Sequence, residues 1–155
     1  MKKALFVINP ASGRKKNTGY HSIIEEAARR LSWNYKILKT TGENDLERIR
    51  KEIESYRPAR IAVHGGDGTI NMVATLIHNM DIPMGILPGG SANGLAYNLN
   101  LPGSFSKSVE IALSGKVKKI DVIVINREII CLHLFDAGLN ARIVKRFENQ
   151  GSKGI

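Results

Sequence analysis

A chain of 155 residues with 43% hydrophobic and 24% charged residues has the length and make-up of one globular domain with a sizeable core. No apolar run is longer than a handful of residues, which excludes a bilayer-spanning helix, and the run after Lys2-Lys3 reads as a first strand rather than a signal peptide. The net charge of +9 invites an anionic partner, but aromatics make up only 6% and no basic block is long, so no nucleic-acid partner is expected.

Apolar periodicity places strands and helices in alternation. Leu5, Phe6, Val7 and Ile8 form a short buried strand that ends at Asn9-Pro10 and the turn-rich NPASGRKKNTG. Tyr20, Ile23, Ile24, Ala27, Ala28 and Leu31 recur at helical spacing, and WNYKILKT follows as a strand. Leu46, Ile49, Ile53 and Tyr56 mark a second helix that Pro58 stops. ARIAVH (59–64) is the third strand, and Ile70, Val73, Ala74 and Ile77 give the helix behind its glycine turn. MGILP (84–88) is a fourth strand with another glycine loop after it. A helix around SFSKSVEIALSG leads to two β-rich runs, KKIDVIVIN and EIICLHLF, joined by a hairpin turn at Asn126-Arg127. The fold class is therefore α/β, with three layers and a mostly parallel sheet covered by helices on both faces.

Ligands of open parallel sheets bind beyond the carboxyl ends of the strands. Three loops at that end are stripped of bulk: NPASG at 9–13, GGDGT at 65–69 and PGGSANG at 88–94. Bare backbone N–H groups and a helix start suit an anion, and phosphate is the obvious one. Asp67 would repel phosphate unless it positions a divalent cation or accepts a hydroxyl proton. The plainer alternative is a set of tight turns with ordinary helix caps, where Asp, Ser and Thr are favoured. Three such loops at one sheet edge favour the phosphate site.

Other chemistries lack their residues. There is no G-x-x-x-x-G-K-[ST], and no G-x-G-x-x-G follows the first strand. The four histidines are scattered without metal-ligand spacing, and Ser12 and Ser91 sit in no G-x-S-x-G elbow. His64 reads as a packed side chain at a strand's end. Cys131, a lone cysteine among apolar neighbours, excludes an intrachain disulfide and fits a reducing cytoplasm.

In this order and spacing, NPASG, GGDGT and PGGSANGLA resemble the diacylglycerol kinase catalytic family, which includes sphingosine kinases and bacterial lipid kinases. The resemblance spans roughly residues 3–145 and implies an NAD kinase/phosphofructokinase-like nucleotide-binding domain, with 1–155 a single ATP-binding unit. The family's second, β-rich lipid-binding domain is absent from this sequence. The implied activity is transfer of the ATP γ-phosphoryl group to a lipid hydroxyl. A non-catalytic nucleotide-binding module and an NAD kinase-like phosphotransferase are the alternatives. The implied nucleotide contacts are Asn9, Pro10, Ser12, Gly13, Thr40, Thr41, Gly65, Gly66, Gly68, Thr69, Asn71, Gly89, Gly90, Ser91 and Asn93. Asp67 would be the catalytic residue, and Asp121 would help hold Mg²⁺ through water. GLNARIV (138–144) resembles the family's Gly-x-Asp-Ala segment, with Asn140 in place of the acid, and Met72 stands where many relatives carry Glu. A lipid acceptor implies a cytoplasmic protein in transient contact with a membrane surface, and a homodimer is left open.

Overall fold

The computed structural model describes residues 1–12, 19–125 and 129–132. At its centre lies β1 (Lys2–Ile8), whose residues Ala4 to Ile8 are all buried. A strand apolar on both faces needs cover on both, and the parallel order β2 (Trp33–Lys39), β1, β3 (Arg60–Gly65), β4 (Met84–Pro88) supplies it through crossover helices. Burial of a side chain the size of Phe6 contributes about 1.5–3 kcal/mol, and the whole of β1's apolar run is placed this way.

Side chains alternate between two cores. Ala4, Phe6 and Ile8 pack with Ile24, Ala27 and Ala28 of α1 (Tyr20–Arg30) and with Val109, Ala112 and Leu113 of α5 (Phe105–Ser114). Leu5 and Val7 face the other way, toward Ile49 and Ile53 of α2 (Asp45–Tyr56) and Ile70, Val73 and Ile77 of α3 (Asp67–Ile77). The edge strand β2 sets Trp33, Tyr35 and Ile37 against the α1 layer and Leu38 against the other core, with Lys36 and Lys39 exposed. Charged residues on an edge discourage pairing with another sheet.

The first four strands and the helices between them lie where the apolar periodicity puts them. A short helix, α4 (Gly94–Asn98), arises where the sequence suggests only loop. After α5 the two β-rich runs pair antiparallel, as a hairpin requires, β5 (Ile123–Ile125) with β6 (Ile129–Cys131) in a separate two-stranded sheet; the difference is one of length, since only three residues of KKIDVIVIN are strand. Residues 116–124 are exposed throughout, so no buried face holds them in a longer strand. The turn residues Asn126-Arg127 and the 138–144 segment with Asn140 lie outside the described residues.

Helix α5 is fixed to the sheet by a polar clamp. The Arg60 guanidinium donates to the carbonyl of Ala112 at 3.1 Å and twice to that of Gly115 at 3.1 Å, which satisfies carbonyls that a helix end leaves unpaired. Arg60→Met is expected to keep the fold but to cost about 1.5–3 kcal/mol, since these are hydrogen bonds from a charged donor. Thermal unfolding reads the loss, and amide exchange should rise first in α5; a midpoint equal to that of the unsubstituted chain would contradict the clamp.

Candidate nucleotide-phosphate site

The three glycine-bearing loops leave β1, β3 and β4, which are neighbours in the sheet, so they emerge side by side at one rim. Strand register already sets their heights: Ile8 pairs with His64, and Gly65 with Pro88. Beyond the last paired residues, backbone bonds continue the ladder. The Asn9 N–H donates to the His64 carbonyl at 2.8 Å, and the Gly89 N–H donates to the Gly65 carbonyl at 3.1 Å.

The first loop is tied to the second through Asn9. Its Nδ2 donates to the Thr69 hydroxyl at 3.0 Å, while its Oδ1 accepts the Ala11 N–H at 2.9 Å. Pro10 lies exposed in this turn. Ser12 turns back on the loop, donating its hydroxyl to the Asn9 carbonyl at 2.8 Å. Gly13 lies outside the described residues.

The second loop is itself the start of α3. Gly66 is the cap, and the first helical bond runs from the Ile70 N–H to the Gly66 carbonyl at 3.1 Å. The amides of Asp67, Gly68 and Thr69 therefore belong to the first turn, where a helix has no internal acceptor, and among the described residues nothing accepts from them. These donors and the positive end of the helix dipole make a ready anion cradle.

Second and third loops meet backbone to backbone. A Cβ on Gly90 would stand 2.5 Å from the Gly66 Cα, an approach that no side chain allows. Asn93, in the left-handed region at φ 52°, locks the third loop by exchanging two hydrogen bonds with Gly90, both at 2.7 Å. The Asp67 carboxylate then crosses from one loop to the other, accepting the Gly94 N–H at 3.1 Å and the Leu95 N–H at 3.3 Å. It caps α4, a helix other than its own. Ser91 is exposed at the loop's outer side.

The remaining candidates sit differently. Thr40 is buried directly after β2, its N–H donating to the Ile8 carbonyl at 2.9 Å. Thr41 belongs to the entrance of α2, where the Asp45 carboxylate accepts its N–H at 3.0 Å and Arg48 donates to its hydroxyl at 3.0 Å. Burial pushes the Asp45 carboxyl up, but the amides of Thr41 and Gly42 and the Arg48 charge outweigh it and hold the group below the usual carboxylate range. Asn71 stands on α3 with no side-chain bond to the loops among the described residues. Met72 packs against the α2–α3 core. Asp121 is exposed in the stretch before β5 and makes no hydrogen bond or ion pair among the described residues.

His64 proves to be a packed side chain with a defined task. Its ring is buried, its Nδ1 donates to the Leu87 carbonyl at 3.1 Å, and the Phe105 ring meets it edge-on at 5.1 Å. Burial lowers its affinity for a proton and outweighs the Leu87 bond, so the imidazole is neutral at pH 7. An open recess of about 500 Å³ lies elsewhere, at the N-terminal ends of β1 and β2 beside Lys3, Trp33 and Asn34. It faces away from the rim and holds none of the candidate residues.

Two features escape a reading of the sequence. The bond from Asn9 to Thr69 joins residues sixty positions apart, and no local pattern announces it. Helix α4 and its remote cap have a weak signal in Asn93-Gly94, a pair suited to a left-handed bend.

Comparison with known proteins identifies a family that covers most of the chain. The profile of the diacylglycerol kinase catalytic domain matches residues 3–125. Lipid kinase YegS of Escherichia coli (strain K12) is 32% identical over 108 residues, covering 67% of this chain and 36% of that protein. The Probable lipid kinase YegS of Escherichia fergusonii is 33% identical over the same shares. The chain thus matches little more than a third of the length of these relatives. A solved diacylglycerol kinase from Bacillus anthracis str. Sterne superposes over 78% of this chain and 42% of its own, at a TM-score of 0.67 and 24% identity, which is a likeness of fold.

Gly90→Ala should force the second and third loops apart, costing about 1–3 kcal/mol of overpacking. Amide shifts at Gly66 and Gly90 together with a lowered unfolding midpoint would show it; an unchanged spectrum would mean that the loops do not touch. Asp45 supplies a pH test at the Thr41 corner. Its depressed value makes its contribution present above the unfolded carboxyl value of about 3.9 and lost as pH falls through the lower folded value. Acid unfolding curves should therefore be shallower below about pH 4 for Asp45→Asn than for the unsubstituted chain.

Proposed function

The chain belongs to the diacylglycerol kinase catalytic-domain family, and on that premise we propose that it is the nucleotide-binding lobe of an ATP-dependent lipid kinase. It would pass the γ-phosphoryl group to a hydroxyl of a diacylglycerol- or sphingoid-type lipid. The observation that supports this most is the row of amides at Asp67, Gly68 and Thr69, which have no acceptor among the described residues and stand between the first and third loops. Fixed N–H dipoles of this kind stabilise a polyphosphate without having to reorganise during the reaction.

Phosphoryl transfer asks a protein mainly for position and charge. The acceptor oxygen forms a bond to the γ-phosphorus, the bond from that phosphorus to the bridging oxygen breaks, and ADP departs with the electron pair. The acceptor's proton must leave as the new bond forms. Asp67 fits this role, because each carboxylate oxygen takes one amide hydrogen and keeps a lone pair for a proton or a cation.

Among the described residues no three His, Cys, Asp or Glu side chains gather, so the protein offers no cage made of side chains alone. A single carboxylate completed by water and phosphate oxygens does suit magnesium, and Asp67 would hold that ion. When bound, the metal would neutralise charge on the phosphates. Asp121 enters only as an indirect contributor through water, on the strength of the family resemblance. The side chains of Asn9, Asn93 and Thr69 would hold the loops, while the backbone N–H of Thr69 would face the phosphates.

A lipid acceptor would bring the protein to a membrane surface in passing. Among the described residues no helix is long and apolar enough to cross a membrane, and the charge of +9 suits anionic headgroups. The alternative reading is a nucleotide-binding module without catalysis.

Incubating the chain with γ-labelled ATP, magnesium and diacylglycerol or sphingosine in mixed micelles separates the two readings. Label in the lipid supports the kinase; ATP binding with no labelled lipid supports the module; binding of neither overturns both. Asp67→Asn should leave the fold intact and remove transfer, by at least about a hundredfold if the carboxylate acts on the proton. Undiminished transfer by that variant would take the role away from Asp67.

A further inference from the structure

The His64 ring occupies a position that none of the chemistry above uses. It lies at the carboxyl end of β3, at the level where all three loops depart. Its backbone carbonyl accepts the Asn9 N–H of the first loop, and its chain neighbour Gly65 accepts the Gly89 N–H of the third. The side chain reaches the third loop as well. A Cβ built on Gly89 would collide with the ring at Cε1 and stand 2.8 Å from Nδ1, so the imidazole fills the space directly beneath that residue.

The ring is held from two other directions. Nδ1 donates to the Leu87 carbonyl at 3.1 Å, which fixes the neutral tautomer with its hydrogen on Nδ1. Phe105, the first residue of α5, meets the ring edge-on at 5.1 Å with the planes at 82°. A ring with its hydrogen bond, its aromatic wall and its ceiling all specified has one orientation. An aliphatic side chain of similar size would fill the volume without the Leu87 bond.

We propose that the His64 imidazole is a positioning residue for the rim: it fixes the height of Gly89 and Gly90 and so holds the third loop against Gly66. The link to nucleotide rests on the function proposed above; the link to loop position stands on the free protein alone. With the ring in place, the Gly89 N–H reaches Gly65 and the Gly90 N–H reaches Asn93. Removing its donor frees the ring to tilt, and the loop above it follows.

The test uses three variants of the chain. His64→Phe keeps a ring but loses the donor, His64→Asn keeps a donor near the Nδ1 position, and Gly89→Ala presses a methyl onto the ring. In the ligand-free protein, amide exchange at Gly89 and Gly90 should rise about tenfold in His64→Phe and in Gly89→Ala, while β1 amides stay protected. His64→Asn should restore most of the protection. Exchange at Gly89 and Gly90 unchanged in both His64→Phe and Gly89→Ala overturns the proposal. If His64→Phe does not fold, Gly89→Ala and His64→Asn decide by the same readout.

Titration with ATP and magnesium supplies the second arm. Affinity should fall about fivefold to tenfold in His64→Phe and recover in His64→Asn, a pattern that loss of global stability would not give. Loosened loops with wild-type ATP affinity overturn the role at the rim. A wild-type chain that binds no ATP defeats the proposed function instead, and the exchange measurements still judge His64.

Discussion

Backbone touches backbone where Gly66 meets Gly90, and the rest of the rim is arranged around that contact. Two βα loops on neighbouring parallel strands ordinarily keep their side chains between them. Here the side chains are gone, and peptide groups stand where a phosphate could meet them. The closeness is held by polar ties, each crossing from one loop to another: Asn9 to Thr69, Gly89 to Gly65, and Asp67 to Gly94 and Leu95. The sheet beneath contributes by being rigid and apolar on both faces, so the loops inherit fixed starting points.

Asp67 caps a helix, and its proposed chemical role would draw on the same group. Its carboxylate lies half-buried among amides, which offsets the cost of placing a negative charge there. The same amides orient it, as a cap orients any helix start, though the helix it caps begins twenty-seven residues away. The capping alternative for the acid and its chemical role are therefore compatible. One pair of oxygens has lone pairs for both.

How much of this was legible follows from the range of the forces involved. β1, α1, α2, β3 and α3 could be read because apolar spacing records a local choice, as at Ile24, Ala27 and Ala28 or at Ile70, Val73 and Ile77. The common rim could be read because parallel strands send their loops to one end. The ties between loops could not, since Asn9 and Thr69 carry no mark of each other. KKIDVIVIN was legible as one arm of a hairpin but its length was not, because an apolar, β-branched run says that a segment would suit a sheet without supplying the neighbour a longer strand needs. His64 was legible as packing, but its neighbours Gly89 and Phe105 came only with the fold.

The stretch after α5 carries its own practical consequence. Val117, Ile120, Val122, Ile123 and Val124 lie open to water, with Lys116, Lys118 and Lys119 among them. Aliphatic area in one strip releases ordered water when anything oily covers it. Were a detergent micelle or an anionic vesicle to cover it, the gain would come from this area and these charges, whether or not its lipid is ever phosphorylated. For the proposed lipid acceptor, sedimentation with lipid would therefore not by itself report recognition, and a competition by acceptor stereochemistry would separate grip from stickiness.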